Sequence, residues 1–277
     1  ADGLAAGKGV TICKSKNQIL KISDEIFKGK YKSSKKLVLE EFIQGEEVSY
    51  FLIVDKKNYV FFGSAQDHKK VGENDKGLNT GGMGAYSPAL IINNQLEKKI
   101  IQRIVKPTLS ELNKNKNPYT GFLYVGLMIK NNNPYLIEYN VRMGDPECQT
   151  ILPLLKTDLI KIFINCCLGK LNEKEIELKN EKSICIVLCS KGYPEEYKKN
   201  IPIKRLDNLL LKKKEYIFHA GTKLENKKIL SSGGRVLNFV SISKDIKKSR
   251  EDLIRLINDL KWENGFFRKD IGYKVID

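Results

Sequence analysis

Hydrophobic positions follow two rhythms along this chain. Short runs rich in β-branched and aromatic residues, bounded by polar clusters, predict strands over 10–13, 37–41, 47–54, 59–64, 121–130 and through residue 138. Apolar residues spaced three and four apart predict helices over 17–27, 95–113 and 158–168. Asp55-Lys56-Lys57-Asn58 and Asn131-Asn132-Asn133-Pro134 read as turns between strands. From 66 to 88 little periodicity survives and glycine is dense. That predicts a long loop, and loops of that length usually carry function. After about 181 the pattern shifts to short strands over 183–190, 216–221 and 235–241 and one helix over 249–259.

These elements imply an α+β class with three parts, 1–42, 43–180 and 181–277, the last a small α/β domain. A hydrophobic content of 41% over 277 residues supports one large core or two to three modest ones. The longest apolar runs, such as 184–188, are strand-sized. None approaches the roughly 18 residues of a membrane-spanning helix, so no membrane partner is expected. No secretory leader and no initiator methionine are visible. The chain opens inside the glycine-rich stretch Ala1-Asp2-Gly3-Leu4-Ala5-Ala6-Gly7-Lys8-Gly9, which predicts a piece of a longer chain, weak or inactive alone.

Six cysteines do not make a disulfide framework: Cys166 and Cys167 are adjacent, and Cys185 and Cys189 sit in an apolar run. With two histidines in all, zinc spacing is absent, and reduced, buried thiols in a cytoplasmic protein are expected. A net charge of +16 raises nucleic-acid binding as a possibility. Only seven of the 49 basic residues are arginine, however, and the lysines spread over the whole length as solvated faces do. No nucleic-acid partner is expected, although the charge favours phosphorylated small molecules.

The densest chemistry lies in Leu136-Ile137-Glu138-Tyr139-Asn140-Val141-Arg142-Met143-Gly144-Asp145-Pro146-Glu147. Strand alternation would place residues 138, 140 and 142 on one face. A carboxylate beside an amide oxygen suits Mg²⁺, which takes few protein ligands plus waters and phosphate oxygens. A guanidinium beside them suits a phosphoryl group in transfer. An edge strand with a polar outer face explains the same residues equally well. Glu147 reads either as a first-turn helix acid or as a contact for a substrate ammonium.

Other segments are weaker alone. Gly7-Lys8-Gly9 is either a surface turn or a flexible loop carrying a cation to a polyphosphate. It is not a Walker A loop, because no Ser or Thr follows the lysine. Glu40-Glu41-Phe42-Ile43-Gln44-Gly45-Glu46-Glu47 alone reads best as an ordinary hairpin, with an adenine edge and Glu47 on ribose hydroxyls as the alternative. In Asn79-Thr80-Gly81-Gly82-Met83-Gly84, three glycines in four positions suggest an anion nest of backbone N–H groups. Lys69 could neutralise a terminal phosphate, and His68 is read as a structural histidine.

Taken in order, the lysine loop, Glu40 to Glu47, Gln66-Asp67-His68-Lys69, Asn79 to Tyr86, Gly121 to Ile129 and Glu138 to Glu147 closely resemble the glycinamide ribonucleotide synthetase family of the ATP-grasp superfamily. The likeness continues through Phe218-His219-Ala220-Gly221-Thr222-Lys223, Ser232-Gly233-Gly234-Arg235 and Phe267-Arg268-Lys269-Asp270, and so spans essentially the whole chain. It implies an ATP-grasp fold: a partial lid over 1–42, a core over 43–180 with the Mg-ATP site, and a C-terminal domain. It also implies an ATP-dependent ligase that joins glycine to 5-phosphoribosylamine through glycyl phosphate, in purine biosynthesis. Carried over by position, Glu138 and Asn140 hold Mg²⁺ or Mn²⁺, and Arg142 and Lys69 serve the phosphoryl transfer. Lys8, Gly7, Gly9, Glu40, Glu41, Ile43 and Glu47 bind ATP, while Asp67, Gly81, Gly82 and Gly84 face the substrates. Val125 stands where other ATP-grasp enzymes place a further acidic ligand, so a two-ligand metal site is expected. The resemblance further implies an N-terminal domain beyond this chain. The alternatives are another ATP-grasp ligase or carboxylase, or a non-catalytic nucleotide-binding fragment.

Overall fold

The computed structural model describes residues 1–3, 9–31, 34–172 and 176–276. It forms two compact units, Ala1–Gln44 and Gly45–Asp277. In the first, α1 (Lys16–Glu25) begins at Ser15, whose hydroxyl accepts the Gln18 N–H, and continues as a π-helical turn over Ile26–Lys30. The strands expected over 10–13 and 37–41 are not there, and both segments lack regular structure. A strand needs a paired neighbour. Among the described residues no strand pairs with either segment, and the Lys35 and Lys36 N–H groups just before the second donate to the Asp2 carboxylate, 2.9 and 3.0 Å away.

The second unit is α+β and built on one large antiparallel sheet. Its elements in order are β1 (Glu46–Asp55), β2 (Asn58–Asp67), β3 (Lys70–Gly72), β4 (Lys76–Asn79) and β5 (Gly84–Ser87). Helices α2 (Asn94–Ile100) and α3 (Lys106–Lys114) follow, joined by a π-helical turn, then β6 (Thr120–Lys130) and β7 (Asn133–Asn140). Next come α4 (Glu147–Ile151), α5 (Leu159–Cys167), β8 (Lys182–Ser190), β9 (Glu215–His219), β10 (Thr222–Glu225), β11 (Lys228–Ser231) and β12 (Arg235–Ser243). The chain closes with α6 (Ile246–Leu260) and β13 (Gly265–Phe266). The strand order is β7-β6-β1-β2-β5-β8-β12-β9, with β13 added beside β8 and two small hairpins, β3–β4 and β10–β11.

The stretch 66–88 is therefore not one long loop. It holds the end of β2, the β3–β4 hairpin and β5. Strands of three and four residues carry too few apolar positions to display a period. Short β5 also pairs with β8, so one ladder joins the segments before and after residue 181.

Both faces of β1 are buried, which is why it reads as a nearly continuous apolar run. Val48, Tyr50, Leu52 and Val54 pack with Leu96, Ile100 and Val105 beneath the helices, while Phe51 and Ile53 pack with Phe62, Ile151 and Ile162. A third core joins β8 and β12 to Leu253, Leu256, Ile257 and Leu260 of α6. Each such side chain contributes about 1.5–3 kcal/mol on burial. Asp245 caps that helix by accepting the Lys248 N–H at 3.1 Å. Among the described residues no helix is long and apolar enough to cross a membrane.

The C-terminal segment fastens the β3–β4 hairpin. Arg268, 1% exposed, donates to both Asp270 oxygens, to Asp75 and to the Lys70 carbonyl. The Gly272 N–H donates to His68 Nε2 at 3.0 Å, and the Tyr273 hydroxyl donates to Asp75. His68, buried here, is structural as expected.

Burial, with a smaller contribution from Arg268, holds His68 below its ordinary value near 6.5. The adjacent His68 ring, with hydrogen bonds from Arg268 and Tyr273, holds Asp75 below its ordinary 3.8. Both folded values are depressed, so each group's contribution to stability is complete above its ordinary value and is lost as pH falls below it. Urea unfolding midpoints are expected to drop first below about pH 6.5 and again below about pH 4. His68→Asn, which keeps an acceptor for the Gly272 N–H, should abolish the first drop and keep the second. An unchanged first drop in that variant would place its origin elsewhere.

Candidate active site

The β6–β7 ladder sets the first pair of functional side chains. Gly126 lies opposite Glu138 and Tyr124 opposite Asn140, with a bulge between Gly126 and Leu127. A Cβ on Gly126 would come within 3.1 Å of Glu138 Cγ, so the absent side chain leaves room for the glutamate over β6. Asn140 Nδ2 donates to Glu138 Oε1 at 3.1 Å. The two side chains thus meet at a strand end, with the amide nitrogen toward the carboxylate. Among the described residues no three His, Cys, Asp or Glu cluster as a metal cage. A carboxylate with an amide fits a Mg²⁺ that completes its shell with water and phosphate oxygens. Val125 is buried in the core opposite Tyr139, on the other face of the sheet from this pair.

Arg142 departs from its expected position. β7 ends at Asn140 and the chain bends, so Arg142 is not the third residue of a strand face. Its guanidinium is exposed and donates to the Met143 carbonyl at 2.9 Å.

One pocket gathers Glu47, Asp67, Lys69, Tyr124, Gly126 and Glu138. Lys69 Nζ lies 2.7 Å from Glu47 Oε2. Burial works against its charge, but Glu47, Asp67 and Glu138 together outweigh that and raise its pKa. Asp67 ends β2, and its Oδ1 is buried with no hydrogen-bond partner. Burial, followed by the neighbouring Glu147 carboxylate, pushes the Asp67 carboxyl well above the usual range. Glu147, at the first turn of α4, is also buried and accepts the Ser49 hydroxyl at 3.0 Å. Ser49 is in turn 2.8 Å from the Tyr124 hydroxyl.

The glycine turn before β5 borders Asp67, but not as an anion nest. The N–H groups of Gly81, Gly82 and Met83 already donate, to Tyr193 OH, Thr80 Oγ1 and the His68 carbonyl. Gly82 has φ +116°, and a Cβ there would lie 2.5 Å from Pro146 Cδ and 2.8 Å from Asp67 Oδ1. Gly84 is a buried sheet residue packed against the Cys185 carbonyl and Ile271, so its part is close strand approach, not substrate contact.

Two residues missed in the sequence hold this turn. Arg235, at the start of β12, donates to the carbonyls of Gly81 and Asp145, 2.6 Å each, and to Asp145 Oδ2 at 2.8 Å. Tyr193 supplies the acceptor for Gly81. The only signal for Arg235 was the Ser232-Gly233-Gly234 run before it. Gly9, Glu40, Glu41 and Ile43 belong to the first unit, where both glutamates are exposed. Gly7 and Lys8 lie outside the described residues.

Comparison with known proteins identifies the family. Residues 1–148 match the family model described as phosphoribosylglycinamide synthetase, ATP-grasp (A) domain, and residues 183–274 match the C domain of the same synthetase. A phosphoribosylamine–glycine ligase of Agrobacterium fabrum is 42% identical over all 277 residues, and that of Haemophilus influenzae is 40% identical over 280. The chain spans 65% of the length of each of these relatives. The crystal structure of a phosphoribosylamine–glycine ligase from Thermotoga maritima superposes with a TM-score of 0.88 at 32% identity, covering 98% of this chain and 68% of that one. A Campylobacter jejuni biotin carboxylase shares the fold, with a TM-score of 0.67 at 14% identity over 91% of this chain and 55% of its own.

Proposed function

Because the chain belongs to the phosphoribosylglycinamide synthetase family, we propose that it supplies the ATP-grasp and C-terminal portions of a ligase joining glycine to 5-phosphoribosylamine. The observation that carries this reading is the convergence of Glu138 and Asn140 beside a pocket that also holds Lys69 and Glu47. A carboxylate oxygen of glycine attacks the γ-phosphorus of ATP, ADP leaves, and glycyl phosphate forms. The amine of phosphoribosylamine then attacks the acyl carbon, phosphate leaves with the bond electrons, and glycinamide ribonucleotide results. The protein positions groups and stabilises charge without supplying a nucleophile.

In this reading Glu138 and Asn140 hold Mg²⁺ or Mn²⁺, which when bound neutralises charge on the phosphoryl oxygens. Lys69 exchanges its Glu47 partner for a γ-phosphate oxygen, freeing Glu47 for ribose hydroxyls. Arg142, on its bend after β7, swings from the Met143 carbonyl toward the phosphoryl acceptor. Glu40, Glu41, Ile43, Gly7, Lys8 and Gly9 are the further candidates for ATP binding. Asp67, Gly81 and Gly82 form the substrate side, with Gly84 fixing the strand below. The parts 1–42, 43–180 and 181–277 act as partial lid, Mg-ATP core and supporting C-terminal segment.

The test is ADP release by the full-length protein. It should require ATP, Mg²⁺, glycine and phosphoribosylamine together, and removal of any one should bring the rate to background. Equal release with bicarbonate in place of glycine would assign the protein to the carboxylase branch instead.

A further inference from the structure

The large sheet divides at the pocket. The ladder between β1 and β2 ends where Ser49 lies opposite Ala65. Beyond that point Glu46, Glu47 and Val48 pair with β6, whereas Gln66 and Asp67 pair with β5. Glu47 and Lys69 therefore stand on opposite sides of the division, and both line the pocket. Side chains bridge it in place of a ladder. Gln66 Nε2 donates to the Glu47 carbonyl at 3.0 Å, and Lys69 meets the Glu47 carboxylate. A third bridge comes from the C-terminal segment. On the β2 side, the Gly272 N–H donates to His68, the residue before Lys69, and the Tyr273 hydroxyl donates to Asp75. On the β1 side, Lys274 Nζ donates to Glu46, the residue before Glu47. Three consecutive residues thus hold both flanks of the Lys69–Glu47 pair.

Resting on the ATP-site reading above, we propose that residues 272–274 are a clip that sets Glu47 against Lys69, with Lys274 and Glu46 as positioning residues for ATP. In that reading Lys69 leaves Glu47 for a phosphate oxygen, so the bridge between those two opens when the nucleotide binds. The Lys274–Glu46 pair persists and keeps the start of β1 in register with the β2 side. Its contribution is orientation: groups already held in place need not be ordered during binding. The substrate side does not depend on the clip, because Asp67 pairs with β5 and Arg235 holds the Gly81 carbonyl.

Steady-state ADP release by the full-length protein tests the clip. Lys274→Ala should raise KM for ATP at least about fivefold, because small misplacements of positioning groups carry large penalties. KM for glycine should stay within about twofold of the wild type. Glu46→Gln should match Lys274→Ala, and the double variant should be no worse than either alone, as two groups acting through one contact require. Lys274→Arg keeps a cation on Glu46 and should restore KM for ATP. The pair is partly exposed, so the unfolding midpoint should stay at the wild-type value in all four variants. An unchanged KM for ATP in Lys274→Ala overturns the clip. A rise in both KM values with a lowered midpoint also overturns it, since that describes a purely structural tie. Lys69→Ala tests the underlying reading separately: wild-type KM for ATP and kcat in that variant would overturn the ATP-site reading itself, whatever Lys274 shows.

Discussion

Arg268→Ala is expected to cost about 3–5 kcal/mol of stability, the loss typical of removing one partner from a buried ionic network. The guanidinium is 1% exposed and holds Asp75, Asp270 and the Lys70 carbonyl at 2.7–2.9 Å. Alanine would leave Asp270 carrying charge in a site only 16% exposed, and would leave the β3–β4 hairpin tied to the C-terminal segment by fewer bonds, among them Tyr273 to Asp75. Arg268→Lys keeps the charge but loses the two-pronged contact to Asp270, so an intermediate loss is expected. Urea unfolding gives the measurement: the midpoint should fall while the slope stays that of the wild type. A change within about 0.5 kcal/mol would mean that the hairpin and C-terminal segment are held by packing alone.

Little of that network could be read from the sequence. Asp75 and Arg268 lie nearly 200 positions apart in an ion pair, and nothing local to either marks the other. The elements that did show were those whose faces are decided by burial. β1 and β8 are covered on both sides and read as apolar runs, and α6 repeats its apolar residues at helical spacing. The short strands β3, β4 and β5 did not show, because three or four residues cannot establish a period.

The site divides in the same way. Glu138 and Asn140 share a strand, so their spacing predicted their meeting, whereas the expectation for Arg142 assumed that the strand ran two residues further than it does. The expected nest at Gly81 to Gly84 failed for another reason. Glycine spacing shows that the backbone can turn, but it cannot show that Tyr193, Thr80 and His68 already take the N–H groups. Ser49 and Glu147 meet across 98 positions, and only the fold brings them together.

Glu138→Ala is expected to weaken Mn²⁺ binding to the chain's ADP complex by at least about a hundredfold. Loss of an outer-shell partner at a metal site typically costs 10–100-fold, and loss of the only carboxylate ligand exceeds that range. What remains at the site is a neutral amide, which cannot balance the charge of a divalent ion stripped of part of its water. Glu138→Gln restores the shape without the charge and should recover little of the loss. Asn140→Ala, which removes a neutral ligand beside an intact carboxylate, should cost less than Glu138→Ala. Glu138 is exposed, so the unfolding midpoint should stay at the wild-type value in all three variants, separating a metal effect from a fold effect. Electron paramagnetic resonance of free Mn²⁺ during titration with the ADP-loaded chain reads the affinity directly. If Glu138→Ala binds Mn²⁺ as the wild type does, the ion is held elsewhere. The pair at the end of β7 would then be a solvated strand edge, and Lys69 with Glu47 would lose the metal around which their phosphate and ribose roles are arranged.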